Sequence, residues 1–118
     1  MKLIIAVIRP ERLEAVQEAL RDALEEDGHY RLTVQTVEGH GRAEGEPEPI
    51  RGEPLRRPTA RHAQITIGVN DIHLEAALAA ITGAARTSEG EPGDGKIFVL
   101  PLEECVRIRT GERGGWAI

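Results

Sequence analysis

The run Gly93-Asp94-Gly95-Lys96-Ile97-Phe98-Val99 sets a lysine directly after a two-glycine turn, and Val106-Arg107-Ile108-Arg109-Thr110-Gly111-Glu112 adds two arginines one residue apart. Along a strand, side chains alternate faces, so Arg107 and Arg109 are expected to point the same way, about 7 Å apart, with Val106 and Ile108 turned into a core. A glycine turn offers free backbone N–H groups, and the planar fork of arginine grips two phosphate oxygens at once. Three cations beside such a turn make a donor set for a polyanion. In a chain of net charge -5, that concentration of positive charge points to a visiting anion, and the residues suggest a nucleotide di- or triphosphate. The competing reading is a solvated edge strand with surface ion pairs.

The elements that must hold these residues are few. At 118 residues the chain is long enough for one modest core and one domain, 1–118. Apolar residues make up 40%, with one Trp, one Tyr and one Phe, so the core is built from Leu, Ile, Val and Ala. So lean a core suggests support from a partner subunit. The excess of 20 Asp+Glu over 15 Lys+Arg argues against non-specific nucleic-acid binding, which needs a basic face. The lone Cys105 allows no internal disulfide; it reads as a small core residue. No apolar run reaches transmembrane length, which leads to the expectation of a cytoplasmic protein with no direct membrane insertion.

Residues 3–8 form a continuous apolar run, expected as a central strand. Pro10 then suits a helix start, and Leu13, Val16, Leu20 and Leu24 recur at helical spacing. A second strand is expected over 32–37. From about 42 to 61 four prolines sit among Glu, Arg and Gly, which excludes a helix or inner strand and leaves a long exposed loop. Ala63, Ile65, Ile67 and Val69 alternate as a half-buried strand. Asn70-Asp71 offers an N-cap for a second helix over Leu74, Ala77, Leu78 and Ile81, whose last turns Gly83 weakens. Residues 87–94 form a shorter polar loop, and 97–100 a fourth strand. The order βαβ-loop-βαβ predicts an α+β, ferredoxin-like antiparallel sheet with both helices on one face. The other face needs a cover, which a homo-oligomer would provide.

Taken together, these motifs identify a resemblance. Met1-Lys2-Leu3-Ile4 through Arg9-Pro10, Gly39-His40-Gly41-Arg42, Arg51-Gly52, the Gly93–Phe98 run and Arg107–Glu112 resemble the PII signal-transduction family over nearly the whole chain. The resemblance implies a homotrimer that binds an adenine nucleotide (ADP, ATP or AMP) in clefts between subunits. It also implies a mobile T-loop, about 42–61, through which a membrane transporter or metabolic enzyme is regulated, a nucleotide-binding B-loop, about 87–96, and a C-terminal segment, about 105–118. Carried over by position, Gly93, Asp94, Gly95 and Lys96 match the phosphate cradle. Arg107 and Arg109 match arginines supplied by the neighbouring subunit, and Thr33 lies near the adenine. Gly41 and Arg42 open the T-loop, with Arg42 able to reach the terminal phosphate. Thr87 matches a nucleotide-proximal position, and Arg51 matches the loop arginine that plugs an ammonium-transporter pore in some members.

Departures from the pattern qualify what is sensed. Ala43 stands where the family has a glutamine that helps hold Mg2+ and 2-oxoglutarate, and it brings no oxygen to a metal. His62 replaces the lysine that pairs with the 2-oxoglutarate carboxylate and lacks that permanent charge. Sensing of 2-oxoglutarate is therefore expected to be lost or altered, with another small anion such as bicarbonate read through Arg42, His62 or loop residues. Leu55 and Glu53 replace the residues that other members modify. The 87–92 stretch is about two residues longer than usual, and its Glu89 and Glu91 would disfavour ATP relative to ADP or AMP if turned inward. His40 and His62 flank the large loop, but two histidines alone make no metal site. No nucleophile–base or paired-carboxylate constellation is evident, so the reading is a regulator rather than an enzyme. A slow nucleotide hydrolase and a structural subunit with a vestigial pocket are the alternatives.

Overall fold

A computed structural model of the chain describes residues 1–24, 30–39 and 59–118. Strand β1 (Lys2–Ile8) runs into a 3-10 turn at Pro10–Arg12, where proline's fixed φ is already suited to a helical start, and then into α1 (Leu13–Leu24). Strands β2 (Leu32–Gly39) and β3 (Ala60–Val69) follow. A second 3-10 turn, Asp71–His73, leads into α2 (Leu74–Ala85), and β4 (Gly95–Pro101) completes the sheet. The strand order is β2-β3-β1-β4 with every pairing antiparallel. This is the expected ferredoxin-like sheet, with α1 and α2 on one face.

Alternation along β1 and β3 explains the core. Ile4, Ala6 and Ile8 from β1, and Ala63, Ile65, Ile67 and Val69 from β3, are buried beneath the helices. Val16, Leu20 and Leu24 of α1 and Ala77, Ile81 and Ala85 of α2 meet them. Each fully buried Ile or Leu contributes about 1.5–3 kcal/mol by leaving water. The small alanines of α2 let it lie close to α1. The Arg12 Nε donates to the Ala84 carbonyl at 2.8 Å, placing a cation on the C-terminal end of α2, where orphan carbonyls attract it.

Among the described residues no helical layer covers the opposite face of the sheet. Register places Gly68, Leu3 and Leu100 in one row, Thr33, Thr66, Ile5 and Phe98 in the next, and Gln35, Gln64, Val7 and Lys96 in a third. Phe98 and Leu100 are 50% and 42% exposed.

Several expectations are revised. Strand β3 begins at Ala60, so the last two residues of the expected loop pair with β2, as Gly39 opposite Ala60. Strand β4 extends the expected 97–100 at both ends. Helix α2 continues through Gly83 to Ala85. Asn70 does not cap with its side chain; it donates instead to the Gly115 carbonyl at 3.1 Å, tying the C-terminal 3-10 turn (Gly114–Ala117) to the start of the second helical segment. Cys105 is half-buried rather than in the core.

The largest correction concerns 106–109. This segment is not a strand with an inward face. Among the described residues its sole ladder contact is the bridge Val106–Arg113. The Gly111 N–H bonds back to the Arg107 carbonyl at 2.8 Å and the Arg107 N–H to the Glu112 carbonyl at 2.9 Å, closing a tight loop. Val106 is 51% and Ile108 99% exposed, so neither enters the protomer core.

Candidate functional site

The segment from Thr87 to Lys96 is two β-turns in tandem. The Gly90 N–H bonds to the Thr87 carbonyl at 2.9 Å, and the Asp94 N–H to the Glu91 carbonyl at 3.1 Å. The second turn is sequence-encoded: Pro92 presets its second position and Gly93, at φ +93°, supplies the left-handed residue that such a turn needs. One carboxylate clasps both turns. Asp94 accepts from the Thr87 hydroxyl at 2.6 Å, the Thr87 N–H at 3.0 Å and the Glu91 N–H at 3.0 Å. Arg9 Nε donates to the same carboxylate at 3.1 Å.

The chain then enters β4 against β1 with no spare room. At Gly95, φ is +106°, and a Cβ would lie 1.8 Å from the Val7 carbonyl oxygen. Glycine is required there twice over, by conformation and by space. Lys96 follows at once, opposite Val7. It makes no hydrogen bond or ion pair among the described residues.

The hydrogen bonds from the Thr87 hydroxyl, the Glu91 N–H and the Thr87 N–H, with Arg9 alongside, hold the Asp94 carboxyl far below the usual carboxylate range. A depressed folded-state value means the clasp contributes stability above the unfolded value of about 3.9 and loses it as pH falls below that point. Urea unfolding of wild type and Asp94→Asn is expected to show a gap that is full near neutral pH. The gap should narrow steadily below about pH 4; one that does not change between pH 7 and pH 3 would exclude the clasp.

Arg107 is already oriented. Its guanidinium donates to Glu112 Oε1 at 3.1 Å and to the Trp116 carbonyl at 3.2 Å. Arg109 is exposed on the loop and has no partner among the described residues. Both arginines border a recess of about 620 Å³ with Arg31, Leu102 and Cys105. Lys96 borders another, of about 290 Å³, with Ile81, Arg86, Asp94 and Gly95. The three cations of the sequence motif are thus not gathered in one pocket of a single chain, as their proximity in sequence first suggested. Among the described residues they border two separate recesses.

Thr33 lies on the uncovered sheet face beside Thr66, its hydroxyl 3.5 Å from the Thr66 carbonyl. His62 is on the same face, two residues from the row that carries Lys96. It pairs with Val37 and has Nδ1 3.1 Å from the Ala60 carbonyl. Gly41, Arg42 and Arg51 lie outside the described residues, as do Ala43, Glu53 and Leu55; the β2–β3 ladder carries their segment. Glu89 and Glu91 are exposed. Among the described residues no group of three His, Cys, Asp or Glu side chains is placed to hold a metal, and no helix is long and apolar enough to cross a membrane.

Sequence reasoning treated Arg9 only as the end of a strand and gave Asp94 to the phosphate cradle. The pairing of Ile8 with Gly95 is the signal that finds the contact between them, because the next step along an antiparallel ladder sets residue 9 opposite residue 94.

Comparison with known proteins agrees with this architecture. The family model for nitrogen regulatory protein P-II matches residues 1–112. The chain is 46% identical over 118 residues to nitrogen regulatory protein GlnK1 of Methanosarcina mazei, covering all of this chain and 97% of that protein. It is 43% identical to nitrogen regulatory protein P-II 2 of Methanothermobacter thermautotrophicus, over all of this chain and 97% of that one. Identity to nitrogen regulatory protein P-II of Azospirillum brasilense is 44% over the full length of both. Proteins of this kind are signalling regulators rather than enzymes, they bind adenine nucleotides, and they act on partner transporters and enzymes, usually as trimers. The chain belongs to the nitrogen regulatory protein P-II family.

Proposed function

We propose that this protein reports adenylate state: ADP, ATP or AMP binds in clefts between the subunits of a homotrimer and sets the conformation of the 42–61 loop, which engages or releases a partner transporter or enzyme. The observation that carries this reading is the division of the cations. Lys96 at the head of β4 and Arg107 with Arg109 beyond its end border separate recesses, and Lys96 and Arg109 are unpaired among the described residues. Two half-sites on one chain become one phosphate site when copies assemble. The uncovered face with Leu3, Ile5, Phe98 and Leu100 supports assembly, because an apolar sheet face left in water is a docking surface.

In this reading Gly93, Gly95 and Lys96 hold the phosphates from one side, Arg107 and Arg109 from the other, and Thr33 lies toward the base. Gly41 and Arg42 couple the nucleotide to the loop, and Arg51 contacts the partner. Binding can move the loop only if the nucleotide prefers one loop state. With Ala43 lacking an oxygen and His62 in place of lysine, 2-oxoglutarate is a poor effector and Mg2+ is held weakly. A smaller anion such as bicarbonate, read through Arg42 and His62, takes its place.

Calorimetric titration with ATP, ADP and AMP, each with and without 2-oxoglutarate and bicarbonate, tests this. Nucleotide binding that 2-oxoglutarate leaves within about threefold is the expected result. Strong Mg-ATP-dependent 2-oxoglutarate binding would overturn the reading of the second effector, and no binding of any nucleotide would overturn the whole.

A further inference from the structure

We infer that Arg9 is a positioning residue for nucleotide binding, acting through Asp94 to fix the loop that presents Gly93, Gly95 and Lys96; this rests on the nucleotide site proposed above. The guanidinium makes two hydrogen bonds with one loop and lies over a third residue of it. Nε donates to the Asp94 carboxylate at 3.1 Å, one terminal nitrogen donates to the Pro92 carbonyl at 2.8 Å, and that nitrogen would lie 3.1 Å from a Cβ at Gly93. The same guanidinium approaches Glu11 at 4.0 Å. Arg9 therefore bonds Pro92 and Asp94 and occupies the space a side chain at Gly93 would need, and the side chain is only 28% exposed.

Asp94 in turn holds the first residue of both turns, Thr87 and Glu91. With its oxygens taken by Thr87, Glu91 and Arg9, it serves the loop's shape rather than the ligand. A carboxylate beside phosphates would otherwise repel them; the paired guanidinium offsets that charge. The loop is thus pinned at two points, by Arg9, just past β1, on Pro92 and Asp94, and by Gly95 against Val7 of β1. Between them the backbone at Gly93 and the root of Lys96 are held in one arrangement. The first turn places Ser88 (φ 51°) and Gly90 (φ 108°) in left-handed backbone. Preorganisation of this sort lowers the ordering cost of binding.

The test compares ADP affinity, oligomeric state and thermal midpoint for wild type, Arg9→Gln, Arg9→Lys, Asp94→Asn, the Arg9→Gln/Asp94→Asn double variant and Lys96→Ala. Arg9→Gln and Asp94→Asn are each expected to weaken ADP roughly tenfold or more. The double variant should be no weaker than the worse single, because both act through one contact. Arg9→Lys, which keeps the charge but cannot reach both acceptors, should fall between. Faster amide exchange at Thr87 and Glu91 in Arg9→Gln is the matching signature. If Lys96→Ala loses ADP while Arg9→Gln binds as wild type, or if the two losses simply add, the positioning role is wrong and the site stands. If Lys96→Ala and wild type bind ADP equally, or neither binds it, the site itself is wrong and the role falls with it. Should Arg9→Gln not fold, Thr87→Val against Thr87→Ser carries the test: weakened binding in the first alone supports the clasp, and wild-type affinity in both overturns it.

Discussion

Gly95→Ala is expected to lose more than about 3 kcal/mol of stability, the range reserved for a forced backbone or core defect. A methyl at that position lies 1.8 Å from the Val7 carbonyl oxygen and 2.8 Å from its carbon. Those are backbone atoms of the central strand and cannot step aside as a flexible side chain can. The positive φ adds about 1–2 kcal/mol for any L side chain. Relief requires β4 to swing off β1 at its first two pairs, Ile8–Gly95 and Val7–Lys96, which also displaces the lysine. Gly83→Ala is the control. Nothing lies within 4 Å of a Cβ there, and inside a helix alanine is favoured over glycine by about 0.5–1 kcal/mol. Urea unfolding followed by circular dichroism should move the two variants in opposite directions. Equal midpoints for wild type and Gly95→Ala would mean that β4 does not meet β1 in this register.

Arg107→Ala and Arg109→Ala are each expected to weaken ADP about 10- to 100-fold, from a charge-assisted contact of ~1.5–3 kcal/mol. Their effects on folding should differ. Arg109 has no partner among the described residues, so its loss should leave the thermal midpoint in place. Arg107 also holds Glu112 and the Trp116 carbonyl, so its removal frees the C-terminal turn and lowers the midpoint as well. Calorimetry beside thermal unfolding separates the two roles. Unchanged affinity in the double variant would leave the 620 Å³ recess without a ligand.

How much of this was legible in the sequence depends on whether a residue's partners lie within its own element. The helices were legible because Leu13, Val16, Leu20 and Leu74, Ala77, Ile81 repeat at the spacing of one helical face. The sheet was legible because β1 is apolar from Leu3 to Ile8 and β3 alternates. The glycine turn and its lysine were legible because turn chemistry is local. Alternation misled at 106–109. Val106 and Ile108 carry the pattern of a half-buried strand, yet among the described residues no sheet lies beneath them, and Gly111 (φ 74°) folds the chain back before a ladder can extend. The Arg9–Asp94 contact was hidden for a different reason. Its partners are 85 residues apart, and no spacing rule joins them until the β1–β4 register is known. The same holds for Asn70, whose cap-like sequence is diverted to Gly115 by the C-terminal turn.

The account rests on each phosphate site being shared between two copies of the chain, with Lys96 from one and Arg107 and Arg109 from the next. Mixed assembly measures this directly. Lys96→Ala and the Arg107→Ala/Arg109→Ala double variant, each unable to bind ADP tightly alone, are unfolded together in equal amounts, refolded and titrated with ADP. Random assortment in a closed ring should restore about one intact site in four. A mixture that binds ADP no better than the two variants refolded apart would contradict the shared site.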